Sequence, residues 1–346
     1  MRIQGLDAEQ TRRLIDSEQR YDVFRATRER LRHSFRGSMH WKTVEGRDYL
    51  YHKQAGAAKS LGPRSADTEM TYRGFTEGRQ SLETRRRQLD GAIRTAAPVD
   101  RAMGLGRVPQ AVARILRRLD EHGLLGRGIS VVGTNAMFAY ERRAGGHFEA
   151  GLLATSDVDL LFDARQRLRL IGPADPIEGI GGLLKKVDAS FQPIAPGAFR
   201  AINDTGLMID LIQPMPKSSA LAPSPGKVVP GDSLHPVEIV GLQWLQNAPQ
   251  IEAILIDDRG FPLPMAVPDP RAFALHKLWL SERPDRDPAK AMRDRAQAEA
   301  VAAIVRDYLP SMRFDGDDLS AIPAELRARS GELLARLDDT EQSDWE

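Results

Sequence analysis

Two acidic residues inside one apolar strand constrain the fold of this 346-residue chain more than any other feature. Asp157 and Asp159 lie two positions apart in segment 157–162, so both side chains point to one face of the strand, roughly 7 Å apart. A third acid, Asp210, interrupts the apolar run 207–212, where a lone carboxylate is costly unless it is paired or binds a metal. Like charges on one face need a cation between them, and carboxylate oxygens suit Mg²⁺. The three aspartates therefore predict a site for one or two metal ions.

From residue 129 onward, short apolar strands alternate with helices. A turn at 204–206 predicts a hairpin, and Asp269-Pro270 and Asp287-Pro288 each predict the start of a helix. We therefore expect an α/β (α+β) fold, in which a mixed sheet has flanking helices and the C-terminal part is helical. The predicted strands span 129–133, 157–162, 198–203, 207–213, 251–256 and 262–267. The predicted helices span 134–143, 177–187, 270–282, 288–308 and 323–337, and a loop rich in Pro, Gly and Ser spans 223–236.

A glycine at the end of the first of these strands adds a second chemical element. Gly133 and Thr134 stand where the strand passes into a helix, so backbone N–H groups and a hydroxyl can hold phosphate there. Taken alone this is a common pattern. Combined with the aspartates, it predicts a site where a nucleoside triphosphate is held while metal ions activate an attacking oxygen and stabilise the leaving pyrophosphate.

Composition excludes several classes of protein. The chain is 41% apolar and 28% charged, which is ordinary globular usage and argues against wholesale disorder. It has no cysteine, which excludes disulfide scaffolds, zinc fingers, iron–sulfur clusters and thiol catalysis. No apolar run approaches the roughly 18 residues of a membrane helix. We expect a cytoplasmic protein that does not bind membranes.

The two halves of the chain carry opposite charge. Residues 1–128 hold 26 Lys and Arg against 16 Asp and Glu, whereas residues 129–346 hold 23 against 32. Such asymmetry predicts that the first part meets a polyanion. The alternative is that the two halves simply attract each other.

The basic N-terminal region contains a candidate nucleic-acid surface. A helix is predicted over 8–35, followed by a β-hairpin over 39–51 whose Trp41, Tyr49 and Tyr51 are able to stack on bases. Segment 58–65 is predicted as a loop that grips phosphate through Lys59 and Arg64, with a solvated turn as the alternative. Basic helices over 76–95 and 109–122 follow, the first with the candidate binding residues Arg85, Arg86 and Arg87, for which a solvated helix face is the alternative.

These residues resemble a known family. Gly133-Thr134, then Asp157-Val158-Asp159, then Asp210 on a later strand is similar to the signature of the DNA polymerase β-like nucleotidyltransferase superfamily. Together with segments 155–161 and 274–278, the pattern looks like a bacterial subfamily of nucleotidyltransferase-fold proteins. The resemblance covers most of the chain and is sharpest between 129 and 213. We expect three parts of the chain: a basic N-terminal helical region with a β-hairpin over 1–125, a nucleotidyltransferase catalytic domain over 126–268 and a helical C-terminal domain over 269–346.

The resemblance implies a role for each matching residue. Asp157, Asp159 and Asp210 would ligate Mg²⁺ or Mn²⁺, and Asp210 would help to activate the acceptor hydroxyl. Nucleotide binding would fall to the following residues: Gly133, Thr134, Asn135, Ser156 and Lys277. For Lys277, on the helix after Asp269-Pro270, a solvated lysine is the alternative. The gap from the glycine to the acid pair is longer than usual in the superfamily, so residues 144–154 are expected to loop out or to cover the site.

The leading functional hypothesis is a Mg²⁺-dependent nucleotidyltransferase that moves NMP from an NTP, ATP included, to an acceptor hydroxyl. The basic N-terminal region favours RNA, such as a tRNA end, as in toxins or defence proteins with this fold, and such a toxin would have a protein partner or antitoxin. One alternative is transfer to a small molecule or a protein. Another is a nucleic-acid-binding regulatory module without turnover.

Overall fold

The computed structural model describes residues 3–54, 56–166, 179–216 and 233–343. Most of the predicted loop over 223–236 and the start of the helix predicted from 177 lie outside these residues. In chain order the strands are β1 Gln4–Gly5, β2 Ser38–Val44, β3 Arg47–Gln54, β4 Ala57–Pro63, β5 Ile129–Val132, β6 Gly146–His147, β7 Asp157–Phe162, β8 Gln192–Pro193, β9 Arg200–Ile202, β10 Met208–Pro214, β11 Val237–Ile239, β12 Gln250–Ile256 and β13 Pro262–Pro268.

Helices flank the sheets, as the alternation of strands and helices predicts. Short 3₁₀ turns precede or separate some of them, including the turn Thr134–Ala136 directly after β5. In chain order the α-helices are α1 Ala8–Ser34, α2 Ala66–Ala102, α3 Gln110–Glu121, α4 Met137–Ala144, α5 Ala150–Leu153, α6 Gly179–Val187, α7 Leu242–Asn247, α8 Pro270–Ser281, α9 Pro288–Tyr308, α10 Ala324–Ala328 and α11 Ser330–Ser343.

The central sheet is mixed and has six strands. Its order is β5-β7-β10-β9-β8, and β11 pairs with β10 beyond the end of β9. β7 lies antiparallel to β5 and parallel to β10, whereas β9 returns antiparallel to β10 through the predicted hairpin turn. The register places Val132, Asp159 and Asp210 in one row across three neighbouring strands. The sheet therefore brings acids that are distant in sequence to one place.

One hydrophobic cluster covers this sheet and extends from Val108 to Leu337. The β12–β13 hairpin packs against β5, and α8 and α9 pack against each other. Both helices begin as predicted, because Asp269 and Asp287 accept hydrogen bonds from backbone N–H groups of the first turn. Burial of this continuous apolar face fixes the helices that surround the aspartates.

The N-terminal region differs from the sequence prediction in two ways. Segment 58–65 is not a loop: β4 adds a third strand to the predicted hairpin, giving the order β2-β3-β4. The helix predicted over 76–95 begins at Ala66, since Ser65 caps it and accepts from the Thr68 N–H, and it extends to Ala102. The predicted loop is wrong here: Gly62 and Pro63 indicate a turn in the sequence, but an edge strand tolerates both residues at its end.

The C-terminal helix predicted over 323–337 is also divided in two, α10 and α11. No helix among the described residues is both long and apolar enough to cross a membrane.

Candidate active site

Three aspartates form the acidic centre of the sheet. Asp159 on β7 lies directly opposite Asp210 on β10, and Asp157 projects from the same face of β7 two residues earlier. Asp210 is buried at 5% exposure. Burial, and then the negative charges of Asp157 and Asp210, raise the pKa of Asp159 to about 7. The centre therefore carries more negative charge than its surroundings neutralise.

One cation already engages the third carboxylate. Arg200 on β9 lies opposite Asp210 in register and donates from Nε and Nη2 to its two oxygens, both at 2.6 Å. Among the residues that the structure describes, no group of three or more histidine or acidic side chains is arranged to hold a metal ion. Asp157 and Asp159 still fit a hard divalent cation, because they are carboxylates on one face of β7 whose repulsion is only partly offset by the charges of Lys277 and Arg200. Asp210 fits as a third ligand once Arg200 has released it.

Gly133 allows the acidic centre to form. Its φ of +63° lies in the left-handed region, and a Cβ at this position would lie 2.1 Å from Oδ2 of Asp159. The backbone that follows β5 thus passes directly over one of the carboxylates. Only glycine permits both the backbone conformation and this close approach, which explains the residue in the sequence pattern.

The residues after Gly133 hold the site together. Thr134 and Asn135 are buried, and the Asn135 side chain donates to the backbone carbonyl of Asp157 at 2.7 Å. The Thr134 hydroxyl oxygen accepts a hydrogen bond from Nε2 of Gln297 at 3.1 Å, so its own hydrogen remains available to donate. Ser156 is exposed beside the acid pair, and its carbonyl accepts from the Met208 N–H.

Lys277 is buried near the aspartates rather than solvated. Its Nζ donates to Asp294 on α9 at 2.6 Å, and the other oxygen of Asp294 accepts from Arg286. Burial lowers the pKa of Lys277. The negative charge of Asp294, and to a smaller extent that of Asp159, partly offsets this by raising the pKa. Lys277 therefore forms an ion pair that joins α8 to α9, and its positive charge also acts on the nearby Asp159.

The residues between Gly133 and the acid pair are ordered and lie against helix α9. β6 pairs with the N-terminal strand β1, and α5 follows it. Nε2 of Gln297 donates to the Leu152 carbonyl at 2.8 Å, and Nη1 of Arg293 donates to the Ala154 carbonyl at 3.2 Å. Segment 144–154 thus lies beside Thr134 and is held to helix α9 by Gln297 and Arg293.

Sequence reasoning missed two residues of this site, Arg200 and Gln297. A signal for Arg200 existed, because the predicted hairpin turn places a residue of the preceding strand opposite Asp210. Gln297 is fully buried within an alanine-rich helix, and no pattern in the sequence points to its contact with Thr134.

The basic residues chosen for nucleic-acid binding lie apart from the aspartates, in the N-terminal helices and sheet. Lys59 is exposed on β4, whereas Arg64 pairs with Glu69 at 2.7 Å and with Asp48 at 3.2 Å. Arg64 also lies over the ring of Trp41, 5.1 Å from its centroid. Arg64 is therefore committed to neighbouring side chains. Three further candidates are exposed on α2: Arg85, Arg86 and Arg87.

Some of the basic residues of the N-terminal half form ion pairs with acidic residues of the C-terminal half. Arg25 pairs with Glu252 and Asp120, each at 2.6 Å, and these residues line a polar cavity of about 400 Å³ away from the aspartates. Two further pairs cross between the halves at 2.7 Å: Arg107 with Glu141, and Arg117 with Asp257. The attraction between the halves is therefore real, but it leaves the exposed cations of the N-terminal sheet and of α2 in place.

Comparison with protein families identifies the class of this chain. A family model described as nucleotidyltransferase matches residues 110–323, more than half of the chain and all three aspartates. The chain belongs to this nucleotidyltransferase family. Searches of curated proteins and of solved structures give no significant match.

Proposed function

We propose that this protein is a Mg²⁺- or Mn²⁺-dependent nucleotidyltransferase of the DNA polymerase β-like type that transfers NMP from an NTP to a hydroxyl of RNA. The observation that carries the proposal is the row formed by Asp159 and Asp210, with Asp157 on the same face and Gly133 directly over Asp159. Membership of the nucleotidyltransferase family supports the type of reaction.

In this proposal the three aspartates have two roles. Asp157 and Asp159 hold the divalent cation. Asp210 orients the acceptor hydroxyl once its hydrogen bonds from Arg200 have broken. A bound Mg²⁺ supplies the positive charge that neutralises the triphosphate and lowers the pKa of the attacking hydroxyl. The acceptor hydroxyl passes its proton to Asp210, and its oxygen forms a bond to the α-phosphorus. The bond from that phosphorus to the bridging oxygen breaks, and pyrophosphate leaves in line with the attack.

The nucleotide is held by the segment that follows β5. In the proposal, backbone N–H groups at Gly133 and Thr134 and the hydroxyl hydrogen of Thr134, whose oxygen already accepts from Gln297, donate to the phosphates at the strand end. Gln297 fixes the Thr134 hydroxyl, and Lys277 contributes charge from its pair with Asp294. Asn135 acts by positioning the backbone of Asp157, which is a structural role.

RNA as the acceptor is supported by exposed cations of the N-terminal region, such as Lys59 on β4 and Arg85 on α2.

A cytoplasmic location and a protein partner or antitoxin stay predictions from the sequence.

Label transfer tests the proposal. The protein is incubated with Mg²⁺ and each α-labelled NTP in turn, first with total RNA and then with an RNA-free lysate. Asp159→Ala removes a proposed ligand, and Asp163→Ala, beyond the end of β7 and paired with Arg165, is the matched control. We expect labelled RNA with the wild type and the control variant but not with Asp159→Ala. If Asp159→Ala labels RNA as strongly as the wild type does, the proposed site is wrong. If label appears only in the RNA-free lysate, the acceptor is not RNA.

A further inference from the structure

The three-stranded N-terminal sheet has one covered face and one open face. Its covered face packs on α2, where the ring of Trp41 lies 5.9 Å from that of Tyr72 and the ring of His52 lies 5.7 Å from that of Phe75. Leu50, opposite Trp41, is fully buried between them. Because side chains alternate along a strand, the residues between these belong to the opposite face.

That opposite face, called here the outer face, combines tyrosines with cations. Lys42 lies opposite Tyr49 across β2 and β3, and His40 lies opposite Tyr51. The rings of His40 and Tyr51 are 6.1 Å apart and nearly parallel, at 21°, and Nζ of Lys42 lies 5.8 Å from the centroid of Tyr51. The same face also carries the following residues: Ser38, Val44, Arg47, Lys53, Ala58 and Ser60.

Charge on the outer face has one sign. Among the described residues of β2, β3 and β4, no acid projects from it. Asp48 belongs to the covered face, where it accepts from Thr43 and pairs with Arg64. Lys42, Arg47 and Lys53 on the outer face are exposed. A surface with cations, half-exposed rings and no carboxylate complements a flexible polyanion that presents flat bases.

We infer that the outer face of β2-β3-β4 binds single-stranded RNA. Tyr49 and Tyr51 stack on successive bases, while Lys42, Arg47 and Lys53 contact the phosphates between them. A duplex conceals its base faces inside its own stack, so the rings favour a single strand. An acidic protein would use the cations and leave the rings unused. The inference rests on the proposed function, since it names the place where the RNA acceptor is held.

Residues that lie close together in this part of the sequence belong to opposite faces of the sheet. Trp41 and Arg64 lie against each other on the covered face, and Lys59 lies opposite His52, which packs there too. These three are therefore excluded from the stacking surface, although the sequence groups them with Tyr49 and Tyr51.

Direct binding to the 346-residue chain tests the inference without NTP or metal. The probes are a fluorescent single-stranded oligouridylate and an RNA duplex of equal length, and the readout is fluorescence anisotropy. Tyr49→Ala/Tyr51→Ala is expected to weaken single-strand binding tenfold or more, whereas Tyr49→Phe/Tyr51→Phe retains it because the rings remain. Tyr308→Ala, at an exposed tyrosine on α9, is the matched control and is expected to bind like the wild type.

The phosphate contacts are measured by salt dependence. For Lys42→Ala/Lys53→Ala, the slope of log Kd against log salt concentration should fall by about 0.7 for each contact removed. Circular dichroism verifies that every variant is folded. Unchanged binding by the tyrosine-to-alanine variant, or duplex binding as tight as single-strand binding, overturns the inference. Since the binding assay needs no catalysis, loss of label transfer with binding intact overturns the proposed function alone.

Discussion

Arg200 holds both carboxylate oxygens of Asp210 at 2.6 Å, from the neighbouring strand of the same sheet. The contact neutralises the buried carboxylate of Asp210, while Asp159 remains exposed to the negative charge of Asp157. A cation that enters between the carboxylates therefore competes with Arg200 for Asp210.

Replacing this arginine should make the protein depend on a divalent cation for stability. Arg200→Leu leaves a buried carboxylate without its partner, which is expected to lower the free energy of unfolding by about 3 kcal/mol. Thermal denaturation with increasing Mn²⁺ should then raise the melting temperature of Arg200→Leu more than that of the wild type. Arg165→Leu removes an exposed pair with Asp163 and should show neither effect. A variant that melts like the wild type would contradict this role of Arg200.

Gly133→Ala should destroy the site through one contact. The new methyl group would lie 2.1 Å from Asp159, in addition to the cost of a left-handed backbone. Gly145→Ala also has a positive φ, +68°, but meets no atom within 4 Å, so it measures the backbone cost alone, about 1–2 kcal/mol. We expect a larger loss of stability, and loss of NTP binding, only at Gly133. Equal losses at both glycines would mean that the close approach to Asp159 has no importance.

Gln297 is expected to act as a positioning residue for the nucleotide. Gln297→Leu removes the donors to the Thr134 hydroxyl and to the Leu152 carbonyl, which should weaken NTP binding several-fold and leave secondary structure intact. Gln297→Glu keeps the shape but loses the amide donor, so it should show the same defect. Isothermal titration with a non-hydrolysable NTP measures the change. Wild-type affinity in both variants would place the nucleotide away from Thr134.

Acid should destabilise the protein through His276, which is buried between Trp244 and Trp279. Burial, and then the charge of Lys277, lower the pKa of His276 to about 3, whereas the unfolded chain protonates near 6.5. Below pH 6.5 the unfolded state binds a proton that the folded state does not. The free energy of unfolding therefore decreases as the pH is lowered. By pH 5 the loss reaches about 2 kcal/mol.

Denaturant unfolding of His276→Leu between pH 7 and pH 5 isolates this contribution. The variant should lose about 2 kcal/mol less than the wild type over that interval. His33→Leu, at an exposed histidine, controls for the removal of a surface imidazole. Identical pH dependence in His276→Leu and the wild type would contradict the depressed pKa.

The sheet and its acids were predictable because each depends on local pattern. Strand β7 occupies the predicted residues 157–162, since alternation places Val158, Leu160 and Phe162 on one face and both acids on the other. Helix α9 begins and ends as predicted because Asp287 and Pro288 start it locally. The placement of Asp159 beside Asp210 follows from parallel pairing of two strands that both had clear patterns.

Contacts between distant segments could not be predicted in the same way. Gln297 meets Thr134 only after α9 packs across the strand end, and nothing local to either residue encodes that packing. Likewise β4 exists because β3 offers it a ladder of hydrogen bonds, which outweighs the turn preference of Gly62 and Pro63. Tertiary pairing decides such cases.

A nucleotidyltransferase attacks the α-phosphorus of an NTP, whereas a kinase attacks the γ-phosphorus. Parallel reactions with α-labelled and γ-labelled NTP, the same RNA and Mg²⁺ test this difference directly, with Asp157→Asn as the inactive reference. We expect the α-label to enter RNA while the γ-label appears in pyrophosphate, and we expect both signals to vanish in Asp157→Asn. Transfer of the γ-label to the acceptor would make the protein a kinase and contradict nucleotidyl transfer at the three aspartates.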